Sequence, residues 1–145
     1  MTEQDGKLLV GATEYCGLPE LEIVDLNVRI DTGAQTSSLH VDNIEDFRRD
    51  GAKWVSFDIH PDIHNVERIV RREARIKDRR IVKSSNGTSE KRYVVDTLIR
   101  MGNREWRIDL TLTDRSGMTY LMLLGRQAMA DRILVDPGRE YLLPR

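Results

Sequence analysis

The residues whose types and spacing could do chemistry here are Asp31, Thr32 and Gly33, placed after the run Leu26-Asn27-Val28-Arg29-Ile30 and before Ala34-Gln35-Thr36-Ser37-Ser38. The alternation predicts a strand that turns Leu26, Val28 and Ile30 into a core and delivers the Asp31 carboxylate at its end. A carboxylate on so rigid a support can take or give a proton at a bound reactant. Gly33 lets backbone approach a neighbour or ligand closely, and the Thr32 hydroxyl can lock the turn. The same triplet also ends ordinary strands, so the rest of the chain has to decide between the two readings.

Other reactive groups are sparse. The histidines are His40, His60 and His64, with no His-Glu-x-x-His motif, and Pro61 argues against a helix that would bring the last two onto one face. Asp58, His60, Asp62 and His64 alternate and would share a strand face within reach of a metal; solvated loop residues are the simpler reading. No Gly-rich phosphate loop ends in Gly-Lys-Ser/Thr, so neither a metal nor a cofactor is expected. Cys16 is the single cysteine, which excludes an internal disulfide and a multi-thiolate metal site within one chain.

Charge is uneven along the 145 residues although the net value is only -1. Residues 1–66 sum to -8, residues 67–92 to +6 and residues 93–145 to +1. Arg68, Arg71, Arg72, Arg75, Lys77, Arg79, Arg80 and Lys83 form a basic stripe able to focus positive potential on an acidic peptide or a nucleic acid. Only Tyr93 supplies an aromatic near it, so a base-stacking platform is not supported. The alternative is a solvated strand face paired with the acidic first third.

The elements that must position these residues read mostly as strands. Lys7–Val10 and Leu21–Ile30 are strand-like, with a turn over residues 16–20 between them. Ser38–Val41 re-enters the sheet, and Asp42-Asn43 is expected to cap a short helical turn over Ile44–Arg49 that ends at Asp50-Gly51. Val55, Phe57 and Ile59 alternate in a strand closed by Pro61. Arg75–Val82 and Tyr93–Val95 form a long hairpin whose polar tip is residues 84–89. Leu98–Met101 and Trp106–Thr113 flank Gly102-Asn103 as a second hairpin. The apolar run Thr119–Leu124 belongs in the middle of the core and stops at Gly125, before a short helix from Arg126 to Ala130. Ile133–Val135 and Tyr141–Leu143 are closing strands. The length suits one domain over residues 1–145. The polar, acidic start is unlike a signal peptide and no run reaches about 18 apolar residues, so a cytoplasmic protein without membrane association is expected.

Two landmarks thus follow in order, a strand ending in Asp31-Thr32-Gly33-Ala34 and an apolar strand ending in Leu123-Leu124-Gly125-Arg126. The pair resembles the two signatures of retropepsin-type aspartic proteases. Further stretches, among them Leu18-Pro19-Glu20-Leu21, Arg79-Arg80-Ile81-Val82, Arg92-Tyr93-Val94-Val95, Leu110-Thr111-Leu112-Thr113-Asp114-Arg115, Gln127-Ala128-Met129 and Val135-Asp136-Pro137, resemble the bacterial family long labelled "ATP-dependent zinc protease". That family is also described as retropepsin-like and associated with ATP-grasp glutamate ligases. The resemblance implies an all-β fold, a closed or partly open acid-protease barrel with one short helix after Gly125.

It also implies a mechanism. Peptide hydrolysis by aspartates needs two carboxylates sharing a proton, one acting as base on water and the other as acid on the carbonyl oxygen. With one Asp-Thr-Gly, the resemblance implies a homodimer in which each subunit contributes Asp31 across a two-fold axis. Thr32 would brace the pair and Gly33 would present backbone to substrate. Ala34, a flap over residues 84–89 carrying Ser85, Asn86 and Gly87, and the basic Arg79 and Arg80 would meet the substrate, while Leu124, Gly125 and Arg126 would support the site. Viral members carry an acid where Gln35 stands, paired with the arginine of the second motif, so Arg126 must find another partner. A second carboxylate from the same chain, Asp109, Asp114 or Asp136, is the alternative to a dimer. The reading is an aspartic peptidase using Asp31-activated water on acidic or glutamate-tailed peptides. A non-catalytic peptide-binding module on the same fold is the second reading and a basic-patch nucleic-acid binder the third.

Overall fold

The computed structural model describes residues 3–4, 6–62, 65, 67–83, 87–114 and 120–144. In chain order the strands are β1 (Glu3–Gln4), β2 (Lys7–Val10), β3 (Thr13–Leu18), β4 (Ile23–Ile30), β5 (Ser37–Arg49), β6 (Ala52–Ile59), β7 (Val70–Lys83), β8 (Ser89–Met101), β9 (Arg104–Asp114), β10 (Met122–Leu124) and β11 (Ile133–Val135). One helix, α1 (Arg126–Met129), follows β10, and a 3-10 turn at Pro19–Leu21 joins β3 to β4. No helix among the described residues is long and apolar enough to cross a membrane.

The sheet closes on itself because two long strands change partners. The first part of β5, Ser37–Val41, pairs in parallel with β9, while its later part runs antiparallel to β6. Likewise β8 pairs with β7 over residues 89–95 and with β9 over 94–101. Each change of partner lets one strand serve two faces, so β5-β6-β7-β8-β9 forms one ring and β10-β4-β3-β8-β9-β5 another. This is the retropepsin-like β-barrel expected from the two landmarks. Leu26, Val28, Leu39, Val41, Phe57, Ile99, Leu110, Leu112, Met122 and Leu124 are fully buried and belong to one core cluster.

Three local expectations are corrected. Ile44–Arg49 is not a helical turn but the continuation of β5, laid against β6 with Asp46 opposite Val55 and Arg49 opposite Ala52. Asp42 and Asn43 do not cap anything. Asn43 adopts φ 51 at a register shift that lets β5 leave β9 for β6, and Asp50 and Gly51, at φ 51 and 80, make a tight hairpin turn whose twist matches the strands. Residues 16–18 belong to β3, and only Pro19–Leu21 forms the turn. Tyr141–Leu143 is not a strand: Tyr141 N–H donates to the Thr13 carbonyl at 2.9 Å, and the next two amides are taken by the Glu14 side chain. That carboxylate is 1% exposed and accepts the N–H groups of Gly11, Leu142 and Leu143 at 2.8, 2.8 and 3.2 Å, pinning the C-terminal segment across β3.

Candidate active site

Asp31 follows directly on β4. Its N–H donates to the Leu124 carbonyl at 2.9 Å, its own carbonyl accepts from Ala34 N–H at 3.2 Å, and carboxylate Oδ1 accepts from Gly33 N–H at 3.0 Å. The backbone thus orients the carboxylate before anything binds. A side chain on Gly33 would place its Cβ 3.2 Å from that same oxygen. Asp31 and Ala34 are half-buried, whereas Thr32, Gly33 and Gln35 are exposed, so the turn forms part of the molecular surface. Among the described residues no basic side chain pairs with Asp31, which leaves its charge available to a substrate or a second carboxylate.

The turn is held from below by the second landmark. β10 lies between β4 and β5, parallel to the first with Leu124 opposite Ile30 and antiparallel to the second with Met122 opposite Leu39. Leu121, Met122 and Leu124 are buried and Leu123 is half-buried, so neither face of this strand is fully open to water, in keeping with the uninterrupted apolar run. Gly125 then passes so close to the Asp31 loop that an added Cβ would sit 2.6 to 2.9 Å from backbone atoms of Thr36. Only glycine fits there. Its N–H donates to the buried Ser37 hydroxyl at 3.0 Å, and the next two amides donate to Ala34 and Gln35 carbonyls at 2.8 and 3.0 Å. Arg126 finds its partner in the Thr32 carbonyl, 2.9 Å from Nη1. Sequence reasoning missed Ser37. Its one local signal is a hydroxyl at the point where the loop re-enters the sheet.

The structure brings Asp31, Thr32, Gly33, Ala34, Leu124, Gly125 and Arg126 into one assembly. Arg79 and Arg80 lie elsewhere, on the β7–β8 hairpin, where Arg79 sits 5.8 Å over the Tyr93 ring and Arg80 pairs with Asp78 at 3.2 Å. Tyr93 in turn donates to Asp46 at 2.6 Å, which holds that carboxylate below its ordinary range and pushes the phenol up. Gly87 is exposed at φ 85 in the same hairpin, while Ser85 and Asn86 lie outside the described residues.

Of the carboxylates considered as a second acid, Asp109 binds Lys77 at 2.7 Å and lies 3.5 Å from the Gln127 amide. Asp136 accepts Gly138 N–H at 3.0 Å and pairs with Arg139 at 3.5 Å. Asp114 stands opposite Val41, four ladder positions along β5–β9 from Ser37. The face considered for a metal is divided between separate partners: Asp58 takes Asn43 and Arg71 at 2.8 and 2.9 Å, and His60 takes Asp42 at 2.8 Å. Asp62 is half-buried, and His64 lies outside the described residues. No group of three or more His, Cys, Asp or Glu side chains among the described residues is placed to hold a metal ion.

Residues 9–145 match a family model described as RimB-like, retropepsin-like aspartic endopeptidase RimB. The chain is 47% identical over 139 residues to a protein of Shewanella pealeana named probable alpha-L-glutamate ligase, covering 96% of this chain and 30% of that protein. It is 43% identical over 143 residues to a protein of the same name from Desulfotalea psychrophila, covering 99% of this chain and 31% of that one. The chain therefore spans about a third of the length of these curated relatives. Its fold is similar to the crystal structure of a Legionella pneumophila protein of unknown function, with TM-score 0.75 and 27% identity over 92% of this chain and 96% of that one.

Proposed function

This chain belongs to the RimB-like family of retropepsin-like aspartic endopeptidases, and from that premise we propose that it is an aspartic peptidase whose Asp31 activates water against acidic or glutamate-tailed peptides. The observation that carries the reading is the Asp31 turn itself, pre-oriented by Gly33 N–H, fastened to Leu124, Gly125 and Arg126, and with no basic side chain among the described residues paired to the Asp31 carboxylate. One carboxylate cannot be base and acid at once. In the proposed homodimer the ionised Asp31 of one subunit takes a proton from water as the oxygen attacks the scissile carbonyl. The protonated Asp31 of the partner subunit donates to the carbonyl oxygen. Collapse of the tetrahedral intermediate then breaks the C–N bond as the amine takes the proton held by the first Asp31 and the partner's Asp31 takes one from the intermediate's hydroxyl, which restores the dyad with its single proton.

The acidic substrate class rests on the +6 stretch over residues 67–92 and on the ligase name carried by longer relatives. A ligase that adds glutamate and a peptidase that removes it would act on one kind of bond in opposite directions. Gly87 and its hairpin are the proposed flap, and a location in the cytoplasm fits such a pairing.

The test is cleavage of an unbiased peptide library spiked with glutamate-tailed peptides, from about pH 4 to about pH 8, by wild type and Asp31→Asn with a chelator control. Loss of cleavage by on the order of a thousandfold in the folded variant, indifferent to chelator, is expected. Chelator-sensitive cleavage that survives the substitution would sink the reading. Absence of cleavage by either folded protein, with peptide binding retained, would assign the fold to a binding module. Mixed wild-type and Asp31→Asn subunits should lose activity faster than the wild-type fraction falls, as a shared dyad requires.

A further inference from the structure

The cations of the outer sheet fall into two groups. Arg49, Arg71, Lys77, Arg80 and Arg92 reach carboxylates on Glu73, Asp58, Asp109, Asp78 and Glu90. Arg48, Lys53, Arg72, Arg75, Arg79 and Lys91 do not: no ion pair among the described residues involves them, and Arg72 donates instead to the Leu21 and Arg71 carbonyls. Three of these, Arg48, Lys53 and Arg79, line one surface depression of about 170 Å³, together with Asp46 and Phe47. Asp46, the one carboxylate in that lining, accepts from the Tyr93 hydroxyl and is held below its ordinary range by that bond and by the nearby Arg79 and Lys91, so the lining sets three cations against one anion.

Arg48 and Lys53 also face each other directly across the β5–β6 ladder. Like charges directly opposite in a sheet are destabilising. Three cations gathered on one depression, two of them opposed and only Asp46 set against them, keep a positive surface open to an anion from outside. The aromatic neighbours are already engaged by cations, Phe47 by Arg49 at 5.2 Å and Tyr93 by Arg79 and Lys91 at 5.8 Å. The groups left to meet a ligand are guanidinium and ammonium heads, which suit carboxylates better than stacked bases.

We propose that the depression lined by Arg48, Lys53 and Arg79 is a docking site for the acidic segment of a peptide substrate, apart from the Asp31 turn. The identity of the ligand as a substrate rests on the peptidase reading above; the site itself does not. β5 carries both ends of the arrangement, Ser37 beside the Asp31 loop and Arg48 near its far end. At about 3.3 Å per residue the two are at most about 36 Å apart. An extended peptide of about eleven residues spans even that upper limit, and peptides of only a few residues are the least able to touch both sites.

The test uses the full chain carrying Asp31→Asn, so that binding is read without cleavage. Its probes are a fluorescent oligoglutamate of about sixteen residues, an oligoglutamine of equal length and a single-stranded RNA of similar charge. Oligoglutamate is expected to bind, to weaken with salt, and to lose affinity about tenfold or more when Arg48→Glu and Lys53→Glu are added. If that pair fails to fold, Arg48→Gln and Lys53→Gln replace it, with a smaller loss expected. In the active protein the same substitutions should raise KM for long acidic peptides about tenfold with kcat unchanged, and leave peptides shorter than about six residues unaffected. Unchanged affinity in the charge variants would overturn the proposal, and so would RNA binding more tightly than oligoglutamate. Cleavage surviving Asp31→Asn would instead overturn the peptidase reading and leave the docking site standing.

Discussion

The two parts of β5 sit in opposite surroundings. Its first residues, Ser37 to Val41, run between β9 and β10, where Ser37, Leu39, His40 and Val41 are all buried and the neighbouring Gly125 leaves no room for a methyl group. Its last residues face β6 on a sheet whose other strands carry Arg71, Arg75, Arg79 and Arg80, and whose Ile81 is 79% exposed. Both regions keep their backbone ladders, but the first is enclosed by strands on either side of it, whereas the second shows solvent a face laced with ion pairs such as Arg49–Glu73 and Arg71–Asp58. The difference teaches where each task can reside. Orientation of a carboxylate to a fraction of an ångström needs the first kind of support, and capture of a variable charged partner tolerates the second.

The strongest test of that contrast is truncation of an apolar residue in each region. Leu110→Ala, opposite Ser37 in the packed half, should cost about 4 kcal/mol, whereas Ile81→Ala should stay within about 0.5 kcal/mol. Urea midpoints measure both, and similar losses would break the comparison. Glycine replacements sharpen it. Gly125→Ala forces a Cβ into Thr36 backbone and should cost about 3 kcal/mol. Gly51→Ala has nothing within 4 Å and pays only for its φ of 80, about 1 kcal/mol. Arg71→Ala comes next. It removes bonds to Asp58, Ser56 Oγ and the Asn43 carbonyl from a half-exposed guanidinium, so about 1 kcal/mol is expected, shrinking as salt rises.

The same contrast explains what could be read before the structure. In the packed half, burial writes itself into the sequence: Trp106, Ile108, Leu110 and Leu112 all turn into the core, Gly102-Asn103 makes the β8–β9 turn, and Leu121–Leu124 is apolar throughout, with only Leu123 half-buried. Asp31 and Gly125 stood out for the same reason. The contact that joins them, Gly125 against Thr36, is between residues far apart in the chain, and no local pattern encodes it. In the outer half the signals are ambiguous. Ile44 and Phe47 are spaced as on a helix face, and only pairing with β6 decides for a strand, so that Asp50-Gly51, read as the end of a helical turn, is the β5–β6 hairpin turn. Tyr141–Leu143 failed for another reason. A strand-like apolar run was claimed by one buried carboxylate, Glu14, at the other end of the chain.

Acid should separate the two regions in the order set by their titrating groups. His40 is buried beside Thr113, whose Oγ1 lies 2.6 Å from Nδ1. Burial holds its ring below the usual 6.5, with a hydrogen bond to the Asp114 backbone opposing and Arg92 adding to the depression. Above 6.5 the ring is neutral in folded and unfolded chains alike. Below it the unfolded chain takes a proton that the native one refuses, so stability falls as pH drops from about 6.5. Asp58 in the outer half behaves differently. Hydrogen bonds from Asn43 and Arg71 hold it below the usual 3.8, so its contribution is fully present above 3.8 and is lost only as pH falls through the folded value. Two slopes are therefore expected in urea midpoints measured across pH, one beginning near 6.5 and one below 3.8. His40→Asn should flatten the first and Asp58→Asn the second. If His40→Asn leaves the upper slope intact, the packed half contains no acid-sensitive ring, and its rigidity owes nothing to a histidine kept neutral.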